Sequence, residues 1–222
     1  MAIEVLADRL GAFVKGGNPA WDWSSCLSSP ADSVSQGAPG GGGDCDTENY
    51  WHSNRYWATR GAISFDLHGV VGPVAAVSLK GYMYHTYEHV NYHECAGPFW
   101  LCRFTGADPP WTVDEYGDFD IALTDGITTP YVDPVIQDIP FTAGGVAAVQ
   151  AALGGRFTAI ARGVDDVGGY APVYPPSSRL VYAYILGYYA SYTPRLVLTI
   201  PPPGGSPVHK TTRLFLPSGR LA

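Results

Sequence analysis

The segment RGAISFDL, residues 60–67, alternates between two classes of side chain. Ile63, Phe65 and Leu67 fall on one side of an extended chain, and smaller or polar side chains fall on the other. This period of two predicts a β-strand with one buried face and one more exposed face. The segment AAVSLKGYMYHTYEH, residues 75–89, repeats the pattern and predicts a second such strand.

The remaining strand predictions rest on short runs of β-branched and aromatic residues bounded by turn residues. These runs occupy residues 3–15, 98–104, 156–162, 179–190 and 195–200. The alanine-rich segment 142–155 is predicted to be a helix that ends at Gly154 and Gly155. About eight short strands and one short helix predict an all-β fold, an antiparallel jelly-roll-like β-sandwich.

Glycine and proline divide the chain into one domain and a C-terminal extension. We expect residues 1–200 to form the sandwich, and residues 201–222 to form a linker that starts with PPPGGSP and continues as an arm. Residues 16–54 are predicted to be a long loop insertion, and a loop of that length is usually functional or tied to the domain. The arm either packs on its own domain or pairs with another subunit. Its candidate assembly residues are Arg213, Leu214, Phe215 and Leu216.

The charge and hydropathy of the chain narrow the class of protein. The net charge is −7 and no large basic patch occurs, which argues against a nucleic-acid partner. No window of about 18 apolar residues occurs, so we predict no membrane-spanning helix. The first residues lack the basic and apolar segments of a secretory signal. We therefore expect a protein whose signal has been removed or one that is made without a signal.

Four cysteines, Cys26, Cys45, Cys95 and Cys102, allow three disulfide pairings. We prefer the local pairing, Cys26 with Cys45 and Cys95 with Cys102, in which each bond closes one loop. A reducing cytosol would prevent both bonds.

Three histidines precede Cys95 and raise the alternative of a metal site. His85, His89 and His93 are spaced four residues apart. On a strand, residues four apart share a face but stand about 13 Å apart, which is too far for one ion. We therefore predict a histidine- and tyrosine-rich hairpin with a contact surface rather than a metal site. Only His93 and Cys95, about 7 Å apart, stay close enough to bind one ion, and they remain the alternative.

Several segments, in chain order, resemble DNRLRE-type β-sandwich domains, which are similar to carbohydrate-binding modules. The segments are ADRLGAFVKGGNP, TRGAISFDLHGVVGPVAAVSLKGYMY, RFTAIARGVDD and YTPRLVLTI. The resemblance implies a β-sandwich of the kind found in secreted surface proteins, in appendages of polysaccharide-active enzymes and in phage structural proteins. It also implies a structural calcium ion, for which Asp8 and Asp165 are candidate ligands.

No P-loop, nucleophile elbow or dinucleotide-binding motif occurs, and we predict neither an enzyme nor a cofactor. Aromatic side chains are the remaining candidates for a binding site, because sugars and protein partners both pack on them. The candidates for an aromatic binding surface are Trp21, Trp23, Tyr50, Trp51 and Trp100. The aromatic residues of the long loop would alternatively anchor that loop onto the sandwich.

The preferred hypothesis is a non-enzymatic virion structural protein, such as a phage capsid decoration, fibre or tail surface component. It would act through subunit assembly on the virion surface, with itself and other virion proteins as partners. The alternative is a secreted, extracellular carbohydrate-binding module that binds a cell-surface glycan through loop tryptophans. A metal-dependent enzyme at the histidine- and cysteine-rich hairpin is the third hypothesis.

Overall fold

The structure is a computed structural model. It describes residues 1–16, 22–39, 45–52, 55–86, 98–128, 135–169, 181–185, 187 and 192–202. Within these residues the chain forms eleven strands, three α-helices and one 3₁₀ helix. The strands are β1 (Ala2–Gly16), β2 (Ser33–Gly37), β3 (Cys45–His52), β4 (Arg55–Asp66), β5 (Ala76–Thr86), β6 (Phe99–Phe104), β7 (Phe119–Ala122), β8 (Val135–Pro140), β9 (Arg156–Gly163), β10 (Val181–Ile185) and β11 (Arg195–Thr199). The helices are α1 (Trp23–Ser28), α2 (Ala143–Ala151) and α3 (Val164–Gly168), and the 3₁₀ helix is Val113–Gly117.

The strand pairings form a closed circuit. β1 pairs with β11, β11 with β5, β5 with β10, β10 with β3, β3 with β4, and β4 again with β1, all antiparallel. The circuit closes because β1 changes partner along its length, from β11 at residues 2–6 to β4 from Ala7 onward. The register shifts between Ala7 and Arg9, which is where a bulge lets a strand bend. The sheet therefore curls into two layers, one of β8, β5 and β11 and one of β4, β9, β6 and β7.

The inner cluster, the hydrophobic core between the layers, takes side chains from every strand of the circuit. Its members that are at most 1% exposed include Leu10, Cys45, Ile63, Phe65, Leu79, Met83, Leu101, Ile185, Leu196 and Leu198. In β5 the alternation predicted from the sequence is confirmed, since Val77 and Leu79 are buried in this cluster and their neighbours Ser78 and Lys80 face away. Helix α2 closes the core with Ala148 and Val149.

The outer cluster, a second hydrophobic core, lies on the opposite face of β1, β4, β9 and β6. It contains Phe13, Trp23, Cys26, Ala58, Ala62, Cys102, Phe104, Trp111, Tyr116 and Ile160. Helix α1 and the 3₁₀ helix pack on this face, and β2 extends the sheet beside it by pairing antiparallel with β1. The Gln36 side chain ties two of these parts together, because its Nε2 donates to the Trp111 carbonyl at 2.8 Å and its Oε1 accepts from the Trp111 N–H at 2.9 Å. β4 is consequently buried on both faces, which differs from the strand with one more exposed face predicted from residues 60–67.

The predicted all-β, antiparallel, sandwich-like fold is confirmed, and so is the helix at residues 142–155, where Thr142 caps α2 by accepting from the Gly145 N–H. The prediction of one helix is wrong, because α1 and α3 are further helices. The prediction of a loop over residues 16–54 is also wrong, because α1, β2 and β3 lie within it. These elements escape notice in the sequence because each is short and is stabilised by packing on distant strands. No helix in the described part of the chain is long and apolar enough to cross a membrane.

Candidate functional site

The layer of β8, β5, β11 and the first half of β1 presents one face to solvent, which we call the open face. Side chains of these strands alternate between the inner cluster and this face. The open face consists of Glu4, Leu6, Ser78, Lys80, Tyr82, Ile136, Asp138, Pro140, Arg195, Val197 and Thr199. Leu6 is 53% exposed and Ile136 is 44% exposed, which is unusual for aliphatic side chains in a sheet whose other layer is covered on both sides.

A shallow groove of about 360 Å³ runs over β5 between β8 and β11 on the open face. Its lining combines backbone-proximal aliphatic groups with hydroxyls and one carboxylate. The lining residues are Ala76, Val77, Ser78, Asp138, Pro140, Val197 and Thr199. Such a mixed, open surface suits a peptide strand or a sugar chain better than a buried small molecule.

Charged and aromatic side chains order one end of the open face. Arg195 Nη1 donates to Glu4 Oε2 at 2.7 Å, and its guanidinium lies 4.0 Å from the centre of the Tyr192 ring. Tyr192 in turn packs edge-on against Tyr82, with the ring centres 5.7 Å apart. These contacts hold two tyrosines in fixed orientations at the end of the open face away from Ser78 and Thr199.

The outer edge of β8 borders the open face and, among the described residues, pairs with no other strand. The Phe141 N–H donates to the Val77 carbonyl at 2.9 Å, and alternate residues of an antiparallel strand point their backbone groups to opposite sides. Ile136, Asp138 and Pro140 therefore direct their backbone groups away from β5. The outer edge offers the N–H groups of Ile136 and Asp138 and the carbonyls of all three residues. Pro140 lies where the absence of an N–H costs no bond to β5.

A buried ion cluster lies under the covering layer of the other face. Asp166 in α3 accepts from Arg60 Nε at 2.7 Å and Nη2 at 2.8 Å, and from Arg162 Nε at 3.1 Å and Nη2 at 2.8 Å. Arg60 Nη1 also donates to the Tyr116 carbonyl at 2.8 Å, and its guanidinium stacks on the Tyr116 ring at 3.9 Å. The cluster thus connects β4, β9, α3 and the 3₁₀ helix.

The pKa values in this cluster follow from burial and from charge. Burial acts to raise the pKa of Asp166, but hydrogen bonds and charge from Arg60 and Arg162 outweigh it and hold the pKa below its usual range. Burial acts to lower the pKa of Arg60, and Asp166 outweighs it in the opposite direction. Burial raises the pKa of the Tyr116 hydroxyl. These groups keep fixed protonation states near neutral pH, so the cluster acts as a structural clamp between elements.

The disulfide predictions are not met by the described thiols. Cys26 and Cys102 are free thiols, so the predicted bond between Cys26 and Cys45 is absent, and Cys102 carries none. The physical reason is that Cys26 belongs to the outer cluster and Cys45 to the inner cluster, on opposite faces of the sheet. Burial raises the pKa of the Cys26 thiol to about 11. Cys95 lies outside the described residues.

The predicted aromatic surface is not assembled by the described residues. Trp23 is only 3% exposed and packs against Tyr56 in the outer cluster, so its assignment to a binding surface is wrong, because α1 folds onto the sheet. Trp100 is half-buried in β6, away from the open face. Trp21 and the side chains of Tyr50 and Trp51 lie outside the described residues, as does the arm with Arg213, Leu214, Phe215 and Leu216.

The predicted calcium ligand Asp8 has a different partner. Arg156 Nη1 binds Asp8 Oδ2 and also donates to the Ser64 hydroxyl at 3.2 Å. Asp8 sits at the bulge of β1, so this ion pair holds the strand where it passes from one layer to the other. The Asp165 side chain and the histidines at 89 and 93 lie outside the described residues. No cluster of three or more potential metal-ligating side chains occurs within the part of the chain that the structure describes.

The sequence analysis missed the open face as a site, although its alternation was visible in β5. β8 could not be predicted, because VIQDIP is a short mixed segment and its pairing partners in β5 lie 52 to 62 positions earlier in the chain. No protein-family description matches this chain, and no curated protein matches it in sequence.

Proposed function

We propose that this protein is a non-enzymatic structural component that acts by assembling with other copies of itself. The observation that carries the proposal is the open face, because no element among the described residues covers these four strands on that face, while described elements cover the other side of the fold. Aliphatic groups exposed beside a groove and an open strand edge are the ingredients of a protein–protein contact.

A place on a virion surface, as a capsid decoration, fibre or tail component, is the most specific form of this proposal. It rests on the resemblance of the chain to DNRLRE-type domains of phage structural proteins. Assembly would use the open face against other copies and against other virion proteins.

A non-enzymatic function is consistent with how the buried charges are used. The carboxylate of Asp166 accepts four hydrogen bonds from two arginines, which leaves it no lone pair suited to acid–base work. Its low pKa also makes it a poor proton carrier at neutral pH.

Sedimentation velocity of the full chain over a concentration series tests the proposal. We expect species heavier than the 23.7 kDa chain, and we expect Ile136→Glu to shift them to the monomer, because a charge would be buried in the contact. Ile121→Glu is the matched control, since Ile121 is 41% exposed and lies on the edge strand β7 of the other layer. A chain that stays monomeric at every concentration would refute the proposal.

Carbohydrate binding is the second candidate, and the polar lining of the groove favours it. The groove presents the hydroxyls of Ser78 and Thr199 and the carboxylate of Asp138, and Tyr82 lies farther along β5 on the same face; sugars bind to hydroxyl, carboxylate and aromatic groups of this kind. A screen of immobilised glycans with the full chain and with Tyr82→Ala tests it. Binding that is lost in the variant would support an extracellular glycan-binding role, and the absence of any retained glycan would remove it.

A further inference from the structure

The outer edge of β8 is a strand-length row of outward backbone groups, and the exposed side chain of Ile136 lies on this strand. Its outward groups alternate as donor and acceptor over residues 136–140, and the neighbouring Ile136 side chain is 44% exposed. Edges of this kind bind an extended peptide as an added strand, with backbone hydrogen bonds for affinity and side-chain contacts for specificity.

We propose that the occupant of this edge is the C-terminal arm, residues 208–216, of a second copy of the chain. This inference rests on the proposed function and names the contact through which the assembly forms. The arm sequence VHKTTRLFL has the alternating β-branched and apolar residues of a strand and contains no acidic residue.

Charge favours the pairing. The chain has a net charge of −7, and residues 203–222 contribute three cations, Lys210, Arg213 and Arg220, with no anion. Subtracting the +3 of residues 203–222 from the net charge of −7 leaves a net charge of −10 on residues 1–202. The acceptor edge itself presents the exposed carboxylate of Asp138. A basic arm is thus attracted to an acidic body over a range of about 10 Å at moderate salt.

Geometry favours a second copy over the same chain. β8 and β11 are both antiparallel to β5 and so run in the same direction, and a strand added beyond β8 lies about 14 Å from β11 at normal strand spacing. Residues 203–207 span at most roughly 17 Å when fully extended. The arm of the same chain could therefore reach this edge only with its linker almost fully extended, and the three consecutive prolines Pro201 to Pro203 make the start of that linker stiff. The arm of another copy reaches the edge without this restriction.

The first test compares two substitutions at one edge position in the full chain. Asp138→Pro removes an outward N–H without removing a bond to β5, and Asp138→Ala keeps the N–H but removes the charge. We expect association measured by sedimentation to weaken about tenfold or more for the proline variant, and by a smaller factor for the alanine variant. Circular dichroism spectra that match the parent chain establish that both variants are folded.

The second test identifies the occupant directly. A synthetic peptide of residues 207–222 should dissociate the full-length assembly, and a scrambled peptide of the same composition should not. Hydrogen exchange of the β8 amides should be slower in the assembled chain than in the chain diluted to monomer. A mixture of Asp138→Cys chains and differently tagged Leu214→Cys chains should form a disulfide-linked pair between chains.

The outcomes separate this inference from the proposed function. A chain that never assembles refutes both. A chain that assembles equally well with Asp138→Pro, and that the peptide does not dissociate, keeps the proposed function and overturns the arm contact. A cross-link that forms only within one chain, when both cysteines are placed in the same molecule, overturns the exchange between copies and assigns the edge to the chain's own arm.

Discussion

Replacing Asp166 with alanine removes the one carboxylate that neutralises two arginines in the buried ion cluster. The side chain of Asp166 is fully buried and that of Arg60 is 2% exposed, so water does not replace the lost hydrogen bonds. Removing one partner of such a buried pair costs about 3–5 kcal/mol, because the remaining charge stays uncompensated. For a chain of this length, each kcal/mol lowers the midpoint of thermal unfolding by about 2–4 °C, which gives a decrease of about 6–20 °C.

Thermal and urea unfolding followed by circular dichroism measure this cost. Asp120→Ala is the control, because Asp120 makes a comparable two-pronged pair with Arg103 at the surface, where such pairs contribute about 0–1 kcal/mol. Asp166→Asn keeps the volume of the side chain and isolates the effect of its charge. The reasoning is refuted if Asp166→Ala and Asp120→Ala lose the same free energy of unfolding.

Three further predictions concern acid, thiols and a close backbone approach. The pKa of Asp166 is lower in the folded protein than the ordinary value of 3.8. The stabilisation by the Asp166 carboxylate is therefore complete above pH 3.8 and is lost as the pH falls through the folded pKa. Below about pH 4, the free energy of unfolding of Asp166→Asn should consequently vary less with pH than that of the parent chain. Burial raises the pKa of Cys26 from 9.0 to about 11, which leaves about a hundredfold less thiolate at pH 8. Alkylation of Cys26, mapped by mass spectrometry, should therefore be slow in the folded chain and fast in denaturant. Equal rates would contradict the burial of this thiol. Gly11→Ala would place a Cβ atom 2.2 Å from the Ser35 carbonyl oxygen and should cost about 1–3 kcal/mol in urea unfolding, whereas Gly69→Ala, with no atom within 4 Å, should leave stability unchanged within about 0.5 kcal/mol.

The covering layer over the outer cluster is stabilised by packing and by the buried ion cluster, and not by the predicted bond between Cys26 and Cys45. Residues 16–54 were expected to form a loop fastened by a disulfide, but α1 from this segment contributes to a second hydrophobic core. In that core Phe13, Phe104 and Trp111 pack on one another, and Trp23 packs on Tyr56. Hydrophobic burial and the Arg60–Asp166 pair together hold the covering layer on the sheet.

The candidate site was only partly predictable, for reasons that particular residues illustrate. The outward positions of Ser78 and Lys80 follow from alternation within one strand. Asp138 joins them only because β8 pairs with β5. Arg60 lies in a segment of otherwise apolar and small residues, which was a usable signal that a carboxylate must lie nearby, but nothing in the sequence indicates that the carboxylate comes from a residue 106 positions away.

Local patterns in the sequence determined helix α2 and the strands of the circuit other than β3, because alternation, β-propensity and capping act between residues close together in the chain. Tertiary structure alone decided which faces of those strands are buried. β4 carries apolar or small residues on both sides, and its second face is covered by elements from residues 22–39 and 105–118, whose arrangement depends on contacts distant in sequence. Among the residues that the structure describes, the same packing leaves the β8, β5 and β11 face open, because α1 and the 3₁₀ helix lie on the opposite side.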